Sequence, residues 1–232
     1  MKKRQSRLLF VFGLGSLALP VSQSIWWRWP VLPGPLLMAD WLDLGVTATF
    51  LAATLCALAA DQHRTRCLAT WELFALTLSI GVVLEGHGLH FAANAISNMG
   101  SLQGASAAST TYFLDEVLGH KILFSGLIMF FAALSWADRN RSTADQTVSR
   151  VEAALAAGGG LLAGLAFGLS LLEGQSVELS LLVMLLPMIG LRSRLTPLRL
   201  FLGVTALTCL MVIGSWHGVY GSFIEPSKAR LM

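Results

Sequence analysis

Seven apolar runs, separated by short polar or basic segments, are the feature that most constrains how this chain can fold. A helix needs about 20 predominantly apolar residues to cross a bilayer, because the hydrocarbon core is about 30 Å thick. The pattern therefore predicts an all-α membrane protein, a bundle of seven transmembrane helices forming one domain over residues 1–232. The runs lie at approximately Leu8–Val21, Trp41–Ala60, Leu68–Phe91, Leu118–Ala137, Val151–Leu172, Val177–Leu191 and Leu198–Trp216.

The composition agrees with a membrane protein and disfavours a soluble one. Only 12% of the residues are charged and 55% are hydrophobic, whereas a soluble domain carries about 25% charged residues. The basic residues are spread over short segments between the apolar runs, so they form no patch that would bind nucleic acid. Membrane lipids are the expected surroundings, and the oligomeric state is left open.

The distribution of lysine and arginine predicts the orientation of the helices. If the N-terminus is cytoplasmic, only Arg28, Lys121, Lys228 and Arg230 of the 16 basic residues lie outside. Cytoplasmic segments of membrane proteins carry the excess of lysine and arginine. We therefore expect an integral protein of the plasma membrane, which is the inner membrane of a bacterium, with its N-terminus inside.

The first run also has the shape of a secretory signal peptide. A basic flank, Met1–Arg7, precedes the apolar residues, and Ser22–Ser24 could serve as a cleavage region. Removal of that segment would leave six transmembrane helices, but the chain would continue on the same side of the membrane. The rest of the topology is the same in both cases.

Ionisable residues gather at the ends of three runs that this orientation places at the outer face. A charged side chain in a spanning helix costs about 2.5–3.5 kcal/mol on insertion scales, so such residues are functional hypotheses by default. The third run ends in a histidine pair, the fourth begins with two carboxylates and a histidine, and the seventh ends in a histidine. These residues are Glu85, His87, His90, Asp115, Glu116, His120 and His217.

Helical spacing indicates which of these residues can act together. Residues three or four apart share a helix face, so His87 lies on the same face as His90, and Glu116 on the same face as His120. The spacing therefore favours Glu116 over Asp115 as a member of the site.

Glu85 is less well placed, because it lies about 200° from His87 at about 100° per residue. It could reach the site if Gly86 and Gly88 distort the helical turn.

Four histidines with nearby carboxylates predict a metal site. Zinc is bound by imidazole nitrogen and carboxylate oxygen, and iron is the alternative because it takes the same ligands. The expected ligands are His87, His90, His120 and His217, with Glu85 as a further candidate. Glu116 or Asp115 would take a proton from water as general base. A hydrogen-bonded polar cluster without metal, or haem ligation, would also account for these residues.

Seven helices and a set of histidines and acids that ends on the last helix, here at His217, resemble the CREST group of membrane hydrolases. That group includes alkaline ceramidases and adiponectin-receptor-like proteins. The resemblance implies a zinc ion held among histidines and an aspartate, and hydrolysis of lipid amides or related bonds. The paired histidines of that group's last helix are missing, and the pair His87 and His90 belongs to the third helix instead.

Together these patterns predict a metal-dependent integral membrane enzyme that hydrolyses a lipid or lipid-like small molecule at the outer face. The segment Gly100–Thr111, rich in Ser, Ala, Gly and Thr, is expected to be a mobile loop over the site. Two other functions fit the same residues: an iron or haem membrane oxidoreductase, and a non-enzymatic protein that binds or transports a metal.

Overall fold

The chain is mostly helical in the part that its computed structural model describes, which is residues 2–26, 38–65, 67–98, 105–139, 148–189, 195–226 and 228–229. No strand occurs in these residues, so the predicted all-α class is confirmed. The α-helices are α1 (Lys2–Trp26), α2 (Met38–Leu42), α3 (Ala48–Thr65), α4 (Thr70–Asn98), α5 (Ala105–Tyr112), α6 (His120–Arg139), α7 (Arg150–Glu173), α8 (Leu179–Leu185) and α9 (Pro197–Tyr220).

Two π-helical segments and one 3₁₀ turn extend these helices. Asp43–Thr47 joins α2 to α3, and Phe113–Gly119 joins α5 to α6, both as π-helix. The 3₁₀ turn Leu186–Met188 extends α8. Helix α5 occupies Ala105–Tyr112, so most of the expected mobile loop is helical, and residues 99–104 lie outside the described part.

Five helical stretches of the described residues are long and apolar enough to cross a membrane, which confirms a helical membrane protein but not all seven predicted spans. They are Gly45–Arg64, Thr70–Ser97, Ala107–Arg139, Arg150–Glu173 and Pro197–Tyr220.

The sixth predicted run, Val177–Leu191, differs most from its prediction. Its helical part is Leu179–Met188, which at about 1.5 Å per residue reaches about 15 Å, half of the hydrocarbon thickness. The helix ends in a 3₁₀ turn that contains Pro187. A proline lacks the N–H that a continuing helix needs, which favours an end at this point. Residues 190–194 lie outside the described part.

Small residues bring the helices into close contact. Helix α7 packs between α1 and α9, and a Cβ atom on Gly159 would lie 2.6 Å from the carbonyl oxygen of Leu9. On the other side of α7, a Cβ atom on Gly164 would lie 2.7 Å from the carbonyl oxygen of Thr205. Glycines at helix contacts are a common device in membranes, where backbones approach closely to gain packing energy.

The same device joins α4 to α6, and this contact positions the predicted site. A Cβ atom on Gly86 would lie 2.3 Å from the backbone nitrogen of Leu123, and one on Gly126 would lie 2.6 Å from that of Val83. Because His90 follows Gly86 by four residues on α4 and His120 precedes Leu123 by three on α6, this contact brings the two histidines together.

The bundle has two polar ends. We call the end at which α4, α7 and α9 finish and α6 and α8 begin the histidine end. The opposite end, called the basic end, carries Arg64, Arg139, Arg150 and Arg199.

Candidate functional site

A close polar contact at the histidine end joins His90 of α4 to Asp115 of the π-helical segment Phe113–Gly119. Oδ1 of Asp115 lies 2.5 Å from Nδ1 of His90, and the carboxylate is buried. The two atoms do not have the geometry of a regular hydrogen bond, but a carboxylate this close to Nδ1 favours the tautomer that carries its proton there. Nε2 of His90 is then the nitrogen suited to accept a proton or to bind a metal.

His120 forms a second histidine–oxygen contact beside the first. Its Nδ1 lies 3.0 Å from the backbone oxygen of Glu116 and 3.6 Å from Oε2 of the same residue. The ring centroids of His90 and His120 are 4.6 Å apart. His120 is also covered by Gly174, where a Cβ atom would lie 2.6 Å from the Cβ of His120. We call His90, Asp115, Glu116 and His120 the histidine cluster.

The π-helical segment explains why both carboxylates belong to this cluster. In a regular α-helix only Glu116 shares a face with His120, which is why the sequence favours Glu116 over Asp115. A π-helix forms i→i+5 hydrogen bonds and so changes the angle between successive side chains. Asp115 then contacts His90 while Glu116 contacts His120. The closer of the two contacts belongs to Asp115.

The other three predicted ligands differ in their exposure to solvent. His87 is buried on α4, whereas Glu85 is exposed, as expected from the angle between them. Helix α4 remains α-helical across Gly86, so no distortion of the turn brings Glu85 round. His217 is exposed, and its ring stacks on Phe223 with centroids 4.7 Å apart.

The predicted ligand set of four histidines and Glu85 is therefore not assembled in this structure. Among the described residues, no group of three or more His, Cys, Asp or Glu side chains is arranged to hold a metal ion. The histidine cluster instead presents two imidazoles in contact, each with an oxygen beside Nδ1.

Two further carboxylates lie near the cluster. Glu173 and Glu225, together with Asp115 of the cluster itself, lie near enough to Glu116 to act on its charge. This arrangement is chemically suited to proton transfer or to a cation, since either would relieve the repulsion among the acids.

A group of polar side chains that the sequence analysis did not predict lies next to the cluster. The buried carboxylate of Glu225 accepts hydrogen bonds from Tyr112, Gln175 and Lys228. Gln175 has a φ angle of +46°, and it is the only non-glycine residue with a positive φ angle in the described part of the chain. The partners are as much as 113 residues apart in sequence, and no local pattern predicts such contacts.

The fold and this site together define a helical integral membrane protein with a cluster of histidines and carboxylates at one end of its bundle. Comparison with protein-family models, curated proteins and solved structures finds no match to the chain.

Proposed function

We propose that the chain is an integral membrane enzyme and that the histidine cluster is its catalytic centre. The observation that carries the proposal is the contact between the rings of His90 and His120, each with its Nδ1 beside an oxygen. Four ionisable residues placed together near the end of spanning helices are costly to insert. Acid–base catalysis is the role that best explains why ionisable residues are kept at this position despite that free-energy cost.

The proposed roles follow from the contacts. The Asp115 carboxylate orients His90, so that Nε2 of His90 takes a proton from a substrate or a water molecule when no metal is bound, and is a metal ligand when one is bound. Histidine suits this role because its charge changes near neutral pH. Glu116 is near enough to both His120 and the other acids to pass on or hold a proton.

A zinc ion, with iron as the alternative, is part of the proposal. Two imidazole nitrogens and a carboxylate form a ligand set used by both metals. Histidines that bind metals usually donate their other N–H to a carboxylate or a backbone carbonyl, and His90 and His120 have these two partners. A bound ion would supply an activated water and polarise a carbonyl group.

The third ligand in this proposal is Glu116. Because the described residues contain no ready group of three ligands, metal binding would require the Glu116 carboxylate to turn away from Nδ1 of His120. Metal binding is therefore expected to rearrange this residue.

The proposed substrate is a lipid or another amphiphile with an ester or amide bond. The cluster lies where spanning helices end, which is the depth of lipid headgroups. We place the histidine end at the outer face of the plasma membrane, since the basic end carries the arginines expected inside. A reporter fused after Met232 would then be active only outside the cytoplasm, and activity inside would overturn this orientation.

The test has two measurements. Elemental analysis gives the metal content, and mass spectrometry of the lipids of a mixed-lipid vesicle monitors their conversion. We expect metal bound to the wild-type protein, lost in His90→Ala and in His120→Ala, with turnover reduced by about 10²–10⁴-fold. His217→Ala is the matched control, because His217 stacks on Phe223, and it should keep metal and turnover.

Each part of the proposal can fail separately. Lipid conversion by a wild-type protein that contains no metal would remove the metal and leave the acid–base roles. Metal without conversion would favour a binding or transport protein. Strong absorption near the haem Soret region would favour a haem oxidoreductase, although the contact between His90 and His120 leaves no gap for a porphyrin between these two rings.

A further inference from the structure

The chain folds back over the histidine end after α9. Gly221 has a φ angle of +67°, and its N–H donates to the carbonyl oxygen of His217 over 2.8 Å, which ends the helix and reverses the chain. The indole Nε1 of Trp216 then donates to the carbonyl oxygen of Ile224 over 2.9 Å. We call residues 221–226 together with Lys228 the strap.

The strap is held by one buried carboxylate. Oε1 of Glu225 accepts from the hydroxyl of Tyr112 over 2.6 Å, from Nζ of Lys228 over 2.6 Å, and from Nε2 of Gln175. Glu225 is only 5% exposed, and Lys228 also lies 5.1 Å from the centre of the Tyr112 ring. Hydrogen bonds of this charge-assisted kind are about twice as strong as neutral ones. We call these contacts the latch.

The hydrogen bonds of the latch shift the pKa values of Glu225 and Lys228 so that both groups stay charged. Burial alone would raise the pKa of Glu225, but the hydrogen bonds from Lys228, Tyr112 and Gln175 lower it below its usual value. The hydrogen bond to Glu225 raises the pKa of Lys228. Both groups are therefore charged at neutral pH.

The backbone at Gln175 is left-handed, and two residues of the latch contact its side chain. Non-glycine residues avoid positive φ angles, and they keep them only where the surrounding contacts hold them. At Gln175 those contacts include both Glu225 and Tyr112, whose hydroxyl accepts from Nε2 over 2.7 Å. The same conformation also ends α7, because the N–H of Ser176 then donates to the carbonyl oxygen of Leu171 over 2.9 Å.

The latch adjoins the histidine cluster on two sides. Tyr112 precedes Glu116 by four residues, and Gln175 follows Gly174, which packs on His120. Glu225 itself acts on the charge of Glu116. The strap thus lies next to the cluster at the histidine end of the bundle.

We propose that the strap is a lid over the histidine cluster, and that release of Glu225 from Tyr112, Gln175 and Lys228 opens it. The inference rests on the proposed function, because it makes the strap the gate through which the amphiphile reaches His90 and His120. The hinge is Gly221, whose left-handed backbone conformation favours glycine.

Access to the histidines can be measured without metal or lipid. Diethyl pyrocarbonate modifies exposed imidazoles, and peptide mass spectrometry gives a rate for each histidine. Glu225→Gln and Lys228→Met remove one charge from the latch each. Glu178→Gln is the matched control, because this exposed carboxylate pairs with Lys121 over 2.7 Å at the same end of the bundle. His63, exposed near the basic end, serves as the internal standard.

We expect either latch variant to speed modification of His90 and His120 by about tenfold, as the loss of one charge-assisted hydrogen bond predicts. The rates in Glu178→Gln and the rate of His63 should stay unchanged. His217 should also react faster in the latch variants, because its ring stacks on Phe223 of the strap.

Three results would overturn the lid. Unchanged rates in both latch variants would show that Glu225 does not hold the strap closed. A faster rate at His217 alone would show that the strap moves without covering the cluster. An equal increase at His63 would show that Glu225 stabilises the whole fold. Since the assay needs no turnover, these results are distinct from a failure of the proposed hydrolysis.

Discussion

The basic end and the histidine end of the bundle both bury carboxylates, but the contacts with imidazoles lie at the histidine end. At the basic end, the buried Asp61 pairs with Nε of Arg4 over 3.6 Å. At the basic end, Glu72 and Glu152 accept hydrogen bonds from backbone N–H groups three residues earlier, both over 2.9 Å. Asp138 accepts from the hydroxyl of Thr196, the N-cap residue of α9, over 2.8 Å. These contacts determine where helices begin and how α6 is joined to α9.

At the histidine end, two of the carboxylates lie beside imidazoles. Asp115 faces His90, and Glu116 faces His120, in a π-helical segment rather than at a helix cap. The comparison teaches that a buried carboxylate in a membrane helix does not by itself indicate function. A carboxylate that accepts from a backbone N–H or a hydroxyl is expected to stabilise the fold. A carboxylate beside an imidazole in an irregular turn is a candidate for proton transfer or metal binding.

The largest effect should come from the glycine that brings the two histidines together. In Gly86→Ala the added Cβ would lie 2.3 Å from the backbone nitrogen of Leu123, and a backbone atom cannot move aside. We expect α4 and α6 to separate, with a loss of about 1–3 kcal/mol or more, as measured by thermal unfolding in detergent.

Gly88→Ala is the control for this prediction, since no atom lies within 4 Å of a Cβ there. Alanine should stabilise the helix slightly, by up to about 1 kcal/mol. Equal stability of the two variants would show that the close approach at Gly86 does not position the cluster.

A smaller effect is expected for Glu116→Gln, which should change metal binding but not stability. Because Glu116 is the proposed third metal ligand, its replacement by glutamine should lower the metal affinity by at least about tenfold. The unfolding temperature should stay the same. Metal titration followed by lipid conversion measures both quantities. Full metal binding with lost turnover would make Glu116 the general base instead, and full binding with full turnover would remove it from the site.

The smallest effect is expected for a charged pair that lies at the histidine end but outside the cluster. Lys121 pairs with Glu178 over 2.7 Å, and both side chains are exposed. Exposed ion pairs contribute about 0–1 kcal/mol, so Lys121→Met should change neither the unfolding temperature nor the turnover appreciably. A large loss of turnover would extend the functional region beyond the cluster and the strap.

The parts of the fold that depend on local properties could be predicted from the sequence. Apolar length predicts spanning helices, because the bilayer sets their length. Helical angles correctly predict that Glu85 and His87 lie on different sides of α4. The two histidines that meet, His90 and His120, belong to the predicted set as well.

The remaining parts depend on irregular backbone and distant contacts. The π-helical segment brings Asp115 to His90, and hydropathy does not report a change in helical type. His217 stacks on Phe223 because the strap turns back at Gly221, so a residue expected in the site belongs to the strap contacts instead. Glu225 gains its partners only in the folded chain.

The most direct test of the comparison replaces one carboxylate at each end by its amide. We predict that Asp115→Asn keeps its free energy of unfolding within about 1 kcal/mol while turnover falls about 10²–10⁴-fold. Asp138→Asn should instead lose about 1.5–3 kcal/mol of stability, the worth of a hydrogen bond to a charged group, and keep its turnover per folded molecule. Full turnover in Asp115→Asn, or lost turnover at unchanged stability in Asp138→Asn, would contradict the division of the bundle into a structural and a chemical end.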